Sequence, residues 1–139
     1  MKNVMKKRYI ILLFVILVLI TSILVYLNAY YKASGIGDSL TSSKLVKVEK
    51  NNDVYKGYLF DGPGEDKLLI FYPGAKVEYT SYAPLMNKLA EEGVDTFLVK
   101  MPFNIALLDI NIANKIITSN YKYDSYYLAG HSLGGVAAA

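Results

Sequence analysis

The chain of 139 residues contains no cysteine and only one histidine. The lack of cysteine excludes disulfides, thiolate zinc sites, a cysteine nucleophile and a lipid-modified lipoprotein cysteine. A single histidine, His131, leaves no histidine-rich metal cluster, so we expect neither a metal nor a cofactor. The sequence also lacks an Asn-x-Ser/Thr sequon, so glycosylation gives no indication of the compartment.

The basic charge of the chain is confined to its N-terminus. The formal net charge is +3, but residues 1–33 hold five Lys or Arg and no acid, so the remainder carries −2. The part that follows the leader therefore lacks the basic face by which proteins bind nucleic acids. We expect no nucleic-acid partner.

The stretch Tyr9–Leu27, YIILLFVILVLITSILVYL, is apolar except for Thr21 and Ser22. Nineteen residues at a rise of about 1.5 Å come close to the ~30 Å hydrocarbon core of a bilayer. The basic residues 6–8 precede the stretch, which keeps the N-terminus in the cytoplasm under the positive-inside rule. The pattern predicts a basic cytoplasmic flank over residues 1–8, a single transmembrane anchor over residues 9–31, and a domain outside the cytoplasm at the cell membrane.

A cleaved signal peptide is the alternative for this leader, and cleavage would make the protein secreted. Signal peptides have shorter apolar regions, of about 7–15 residues, with small residues at −3 and −1 soon afterwards. Ala33-Ser34-Gly35 has suitable side chains but lies too far along the chain, and Leu27-Asn28-Ala29 has a large −3 residue. These departures favour the retained anchor.

Residues 32–44 are rich in Gly and Ser and have no periodicity, which predicts a flexible linker. Regular patterns begin at residue 45 and continue to residue 139. They predict a hairpin over residues 45–60, buried strands at Lys67–Tyr72, Thr96–Met101 and Ser125–Gly130, and helices between these strands. Strands that alternate with helices indicate βαβ units and a mainly parallel sheet covered on both faces. The predicted fold class is α/β.

Two apolar stripes at helical spacing predict the intervening helices. Thr80 or Ser81 is the expected cap of the first helix, and the second is expected to end near Asn120. The stripes are Tyr82, Leu85, Met86, Leu89 and Ala90 in the first helix, and Ile105, Leu108, Ile112, Ala113 and Ile116 in the second.

The motif Gly130-His131-Ser132-Leu133-Gly134 follows the last predicted strand. It matches Gly-x-Ser-x-Gly, the nucleophile elbow, in which a strained turn between a strand and a helix exposes the serine hydroxyl. Gly130 and Gly134 are needed because side chains there would collide where the strand and the helix pass. A glycine-rich turn without chemistry is the alternative, whereas a P-loop is excluded because no lysine follows the glycines.

The sequence FYPGAKVEYTSYAPLMNKLAEEGVDTFLVKMPFNIALLDINIANKIITSNYKYDSYYLAGHSLGG resembles the first half of an α/β-hydrolase of the bacterial, dienelactone-hydrolase-like kind. The resemblance covers residues 45–139 and implies that the strand before Ser132 lies beside Lys67–Tyr72. It implies that Ser132 is the nucleophile and that the backbone N–H groups of Leu133 and Ala75 form the oxyanion hole. In the loop YPGAK, the backbone N–H of Lys76 is the alternative to that of Ala75 as the second oxyanion donor.

In this family the triad follows the chain order serine, acid, histidine. Only Leu, Gly, Val and Ala follow Ser132, so the expected acid and base lie outside these 139 residues, and the sequence looks like the N-terminal part of a hydrolase. His131 is the neighbour of the serine, and the side chains of adjacent residues point in different directions. We therefore expect His131 to pack beside the pocket and not to act as the catalytic base. Asp109 is assigned to a helix face and Asp124 to a turn, so neither is the expected acid of the triad.

These expectations lead to two functional hypotheses. The first is a membrane-anchored serine hydrolase that cleaves a small-molecule ester or related acyl compound through an acyl-enzyme, with the present chain inactive because it lacks the acid and histidine. The alternative is a non-catalytic, membrane-tethered α/β binding module.

Overall fold

The computed structural model describes residues 2–53, 55–119 and 121–139, with side chains from residue 6 onward. A long N-terminal helix precedes an α/β domain in which a five-stranded sheet is flanked by helices. The helices are α1 (Lys2–Asn28), α2 (Ala83–Glu91), α3 (Ile112–Ile117) and α4 (Leu133–Ala138). The strands are β1 (Lys47–Asn51), β2 (Gly57–Asp61), β3 (Lys67–Tyr72), β4 (Asp95–Val99) and β5 (Ser125–Gly130).

The strand order of the sheet is β1-β2-β4-β3-β5. Strand β2 pairs antiparallel with both β1 and β4, while β3 pairs parallel with β4 and with β5. Only β2 therefore runs against the other strands. This mainly parallel sheet confirms the predicted fold class, and the pairing of β3 with β5 confirms the expected neighbours.

The sheet separates two apolar layers, as the buried strands predicted. On one face, Ala83, Met86 and Ala90 of α2 pack in a cluster with Phe60 and Leu98 of the sheet. On the other face, residues of α3 and α4 pack against the sheet; the buried members of this cluster include Leu68, Ile70, Phe97, Ile112, Ala113, Ile116 and Ala137. Strands β3 and β4 are covered on both faces, which leaves little room for polar side chains and explains their continuous apolar runs. The predicted burial of Ser125–Gly130 is wrong, because β5 lies at the edge of the sheet and its Tyr127 and Leu128 are about half exposed.

The first predicted helix differs from the observed α2 at its start and at one face. A 3₁₀ turn, Tyr79–Tyr82, precedes α2, and the helix has no side-chain cap, so the expected caps Thr80 and Ser81 are wrong. Leu85 is 51% exposed. It lies about 130° around the helix from the buried side chains at 83, 86 and 90, so it faces solvent.

The second predicted helix is mostly replaced by turns. Phe103 and Asn104 adopt left-handed φ values of 50° and 55°, which a continuous right-handed helix does not allow. Two 3₁₀ turns, Pro102–Asn104 and Ala106–Asp109, therefore come before the short α3. Leu108 is 55% exposed, so its predicted burial is wrong, and the expected end near Asn120 lies outside the described residues.

Helix α1 is long and apolar enough to cross a membrane, and none of its span Lys6–Asn28 is buried within the molecule. A signal sequence satisfies the same criteria, so anchoring stays a prediction. Residues 32–44 form neither helix nor strand, but they contact the domain. The amide of Asn87 donates to the carbonyl oxygen of Ser39 at 3.2 Å, and Leu40 packs against the α2 cluster. The assignment of a flexible linker also stays a prediction.

Candidate active site

Ser132 occupies the junction between β5 and α4, with φ 52° and ψ −124°. This combination is rare for a residue with a side chain, costs about 1–3 kcal/mol, and persists only where the surroundings enforce it. Here the N–H of His131 donates to the carbonyl oxygen of Tyr72 at 3.1 Å, and that of Gly134 donates to the carbonyl oxygen of His131 at 2.9 Å. The turn is thus held both by β3 and by the first turn of α4.

The two glycines of the motif sit where the backbone segments nearly touch. A Cβ on Gly130 would lie 2.4 Å from the carbonyl carbon of Gly134. One on Gly134 would lie 2.2 Å from the carbonyl oxygen of Tyr72 and 2.4 Å from that of Pro73. These distances are too short for any side chain, so glycine at both positions lets α4 start directly beside the end of β3.

The loop after β3 meets the elbow at Gly74, where a Cβ would come within 2.8 Å of Nδ1 of His131. The N–H of Lys76 donates to the carbonyl oxygen of Asn104 at 2.9 Å. Within the described part of the chain, the N–H groups of Ala75 and Leu133 donate to no protein acceptor. The two candidate N–H groups of this loop therefore differ: that of Lys76 is already bonded, and that of Ala75 has no protein acceptor among the described residues.

The imidazole of His131 contacts the 3₁₀ turn that precedes α2. Its Nδ1 lies 2.9 Å from the hydroxyl oxygen of Tyr82, and the two ring centroids are 5.8 Å apart. The same hydroxyl oxygen accepts the N–H of Gly74 at 3.1 Å. When that oxygen accepts from Gly74, its own proton is available for Nδ1. The imidazole thus packs against Tyr82 and beside Gly74 of the loop after β3.

Two tyrosines of this region were not recognised as site residues from the sequence. Tyr82 links Gly74 to His131, and Tyr72 donates its hydroxyl to the carbonyl oxygen of Ile110 at 2.8 Å while accepting the N–H of Ala113 at 3.1 Å. Burial raises the pKa of Tyr72, which keeps this phenol neutral. Both look like ordinary apolar positions in the sequence, so no local signal could have identified them.

The carboxylates lie away from the serine or are already paired. Asp109 forms an ion pair with Lys115 at 3.0 Å. Asp124 immediately precedes β5, and that six-residue strand spans about 20 Å to the elbow. Asp95 begins β4 at the same distant edge. Among the residues that the structure describes, no three His, Asp or Glu side chains are grouped as metal ligands.

Comparisons with known proteins identify the family and the fold of the chain. The family model described as "Alpha/beta hydrolase family" matches residues 68–139. A solved structure, the crystal structure of EstE5 soaked with p-nitrophenyl butyrate, superposes with a TM-score of 0.53 at 15% identity. The superposition covers 73% of this chain and 40% of the EstE5 chain, so at this identity it shows a shared fold. No match was found among curated proteins.

Proposed function

Since this chain belongs to the α/β-hydrolase family, we propose that it functions in a membrane-anchored serine hydrolase. The proposed substrates are esters or related acyl compounds outside the cytoplasm, and Ser132 is the proposed nucleophile. The observation that carries the proposal is the backbone of Ser132, with φ 52° and ψ −124° at the junction between strand β5 and helix α4. A strained turn of this kind lifts the hydroxyl clear of the sheet.

The chemistry proposed for Ser132 is acyl transfer. Its Oγ forms a bond to the carbonyl carbon of the substrate while a base takes the hydroxyl proton. The tetrahedral intermediate then expels the alcohol, which receives that proton, and leaves an acyl-enzyme. Water attacks the acyl-enzyme in the same way, which releases the acid and restores the serine.

The backbone N–H groups of Leu133 and Ala75 are the proposed oxyanion donors. Support comes from their lack of a protein acceptor within the described residues and from the close contact of Gly134 with Pro73. One such donor contributes about 10²–10³ to kcat. Because the donors are backbone groups, the side chains of Leu133 and Ala75 need no particular chemistry.

No acid or base of a triad is proposed among the described residues. His131 is the only histidine of the chain, and its ring is bound to Tyr82. The chain spans 40% of the EstE5 chain that it matches. The dienelactone-hydrolase-like subtype stays a prediction.

The proposed anchor is α1, retained after synthesis. The basic residues 6–8 and the apolar stretch Tyr9–Leu27 support an N-terminus in the cytoplasm and the hydrolase domain outside. A tag placed after the domain should be accessible to protease from outside intact cells and should remain with membranes after an alkaline wash. Release of a shorter, soluble product would favour a cleaved signal peptide.

Labelling with a fluorophosphonate probe tests the nucleophile in the full-length protein. The probe should label the wild type and the control Ser125→Ala, which alters the opposite end of β5, and should not label Ser132→Ala. Equal labelling of wild type and Ser132→Ala would refute the assignment. A properly folded wild type that is not labelled would favour the non-catalytic binding module.

A further inference from the structure

The segment after α1 is paired with the loop that follows β3. The N–H of Tyr31 donates to the carbonyl oxygen of Lys76 at 2.7 Å, and the carbonyl oxygen of Tyr31 accepts the N–H of Glu78 at 2.8 Å. These bonds form a parallel bridge between Tyr31 and Val77. The N–H of Ala33 also donates to the Glu78 carboxylate at 2.8 Å. The chain is therefore fastened to the loop that carries Ala75.

Lys76 fastens the end of α1 to the same loop. Its Nζ donates to the carbonyl oxygen of Tyr26, in the last turns of α1, and lies 4.1 Å from the centroid of the Tyr26 ring. Lysines near a helix C-terminus interact favourably with its carbonyls and its dipole. Side-chain and backbone contacts thus hold the domain against the end of the proposed membrane helix.

These contacts set the height of the domain above the membrane. The three steps from Asn28, where α1 ends, to Tyr31 span at most about 11 Å. The headgroup region adds about 5–8 Å to each side of the hydrocarbon core. The loop after β3, and with it the carboxyl edge of the parallel strands, is therefore held at the level of the lipid headgroups.

An exposed apolar segment lies at this same edge. The residues Pro102–Ile110 follow β4, and Asn104 accepts the N–H of Lys76 at 2.9 Å. Four large apolar side chains of the segment are about half exposed: Phe103 49%, Leu107 50%, Leu108 55% and Ile110 47%. Clustered apolar exposure of this kind marks an interaction surface, and its attachment to the end of α1 identifies the bilayer as the partner.

Cations border this surface. Lys56 and Lys100 are exposed and adjacent, since the N–H of Lys100 donates to the carbonyl oxygen of Lys56 at 2.8 Å. Lysines beside a membrane-inserted apolar surface interact favourably with anionic headgroups. The edge thus combines apolar and basic side chains although the part of the chain after residue 33 is acidic overall.

The same segment reaches the elbow. The turn Ala106–Asp109 packs against α4, and Ala106 and Ala137 belong to one buried cluster. Helix α4 begins directly after Ser132. The apolar segment therefore bridges the membrane end of α1 and the helix that follows the serine.

We propose that the carboxyl edge of the sheet rests on the bilayer, that Pro102–Ile110 inserts into the lipid interface, and that Ser132 hydrolyses acyl esters of lipids resident in that membrane. The acyl esters of a lipid lie at the boundary between headgroups and hydrocarbon, which is the depth of this edge. Oγ of Ser132 displaces the lipid alcohol, which leaves with the proton, and water then releases the fatty acid. The substrate assignment rests on the proposed function and on a retained anchor.

Membrane insertion is tested without reference to activity. Because residues 1–139 contain no cysteine, Leu108→Cys and Leu45→Cys each add one labelling site for an environment-sensitive fluorophore, in a background from which any cysteine elsewhere in the full-length protein is removed. Leu45 is the matched control because it is 61% exposed and precedes β1, whose Lys47 pairs with Asp61 at the opposite edge of the sheet. Full-length protein is placed in phosphatidylcholine–phosphatidylglycerol vesicles that carry a nitroxide high on the acyl chain.

The emission of the fluorophore at position 108 should be blue-shifted, and the lipid nitroxide should quench it. The fluorophore at position 45 should be quenched only by a water-soluble quencher. Equal exposure to water at the two positions would overturn the proposed surface. If the leader is removed by proteolysis during expression, so that the labelled domain does not stay with the vesicles, the proposal is overturned as well.

The substrate class is tested with two fluorogenic lipids in the same vesicles, a phosphatidylglycerol and a diacylglycerol, and with p-nitrophenyl acetate in solution. The double change Leu107→Ser and Leu108→Ser should lower hydrolysis of a bilayer-resident ester about tenfold or more, because interfacial apolar burial is lost. Hydrolysis of the soluble ester should stay within about twofold, and Leu45→Ser should leave both activities unchanged.

The outcomes separate this inference from the function on which it rests. Ser132-dependent hydrolysis of the soluble ester without hydrolysis of either lipid would overturn the substrate class and leave the serine hydrolase intact. Absence of Ser132-dependent hydrolysis of all three esters would refute the serine hydrolase itself, and the substrate class with it. In either case the fluorophore at position 108 still decides whether the surface meets the membrane.

Discussion

The hydroxyl oxygen of Tyr82 lies 2.9 Å from Nδ1 of His131 and accepts the N–H of Gly74 at 3.1 Å. One phenol thus joins the elbow to the loop that carries Ala75. This arrangement couples the position of the loop after β3 to that of the serine turn, because both are bonded to the same oxygen atom.

Tyr82→Phe should lower kcat for a soluble ester about tenfold and change KM little. The variant keeps the ring but leaves the Gly74 N–H without its acceptor, so the loop loses its position relative to the developing oxyanion. Steady-state kinetics of the full-length protein give both constants, and Tyr127→Phe, which alters an exposed ring on β5, is the control. A large rise in KM at constant kcat would contradict a positioning role.

His131→Asn should retain at least about a tenth of the fluorophosphonate labelling of the wild type. Asparagine keeps a polar atom near the position of Nδ1 and can still bond to Tyr82, but it cannot act as a general base. Loss of a true catalytic base costs about 10³-fold or more. A decrease of that size, at unchanged thermal stability, would identify His131 as the base.

Gly134→Ala should destabilise the protein by about 2 kcal/mol or more, because its Cβ would lie 2.2 Å from the carbonyl oxygen of Tyr72 and backbone atoms would have to move. Gly135→Ala is the matched control, since its Cβ would lie 3.2 Å from the nearest atom, the carbonyl oxygen of Gly130. Thermal unfolding in detergent should show a clearly lower Tm for Gly134→Ala. Similar Tm values would contradict the close contact between α4 and β3.

Asp95 should make the free energy of unfolding fall as the pH rises above about 4. The side chain is buried, and burial raises the pKa of its carboxyl above the unfolded value, while the bonds from Gly62 and Tyr123 partly oppose that rise. The folded state therefore binds the proton more tightly than the unfolded state, so its contribution is present at low pH and is lost as the pH passes the folded pKa. Asp95→Asn should remove this component from unfolding curves measured between about pH 3 and pH 7; an unchanged pH profile would contradict it.

The isolated segment 34–139 should aggregate, give poorly dispersed NMR signals and show no Ser132-dependent ester hydrolysis. Strand β5 ends the strand order of the sheet, and its Tyr127 and Leu128 are 49% and 46% exposed. An exposed apolar edge strand pairs readily with other chains. A monomeric, cooperatively unfolding segment whose esterase activity disappears in Ser132→Ala would overturn this prediction.

The elements nearest the elbow followed from the sequence because their signals are local. Continuous apolar runs bounded by turn residues predicted the ends of β3 and β5 as observed. The spacing of Gly130, Ser132 and Gly134 predicted a strained backbone at the serine, which has φ 52° and ψ −124°, because strand, turn and helix there are contiguous in the chain. The α/β class followed from the alternation of strands and helices.

Other features depended on contacts between distant residues and were decided only by the tertiary structure. The periodic stripe from Ile105 predicted a helix, but the left-handed residues Phe103 and Asn104 turn that segment into 3₁₀ turns whose Leu108 faces outward. A periodic pattern records which positions could share a face, whereas the packing partners determine which face becomes buried. The bond from Tyr82 to His131 joins residues 49 positions apart, and the bridge between Tyr31 and Val77 joins the segment after α1 to the loop after β3. Neither pairing leaves a local pattern, because each depends on how the sheet brings separate loops to one edge.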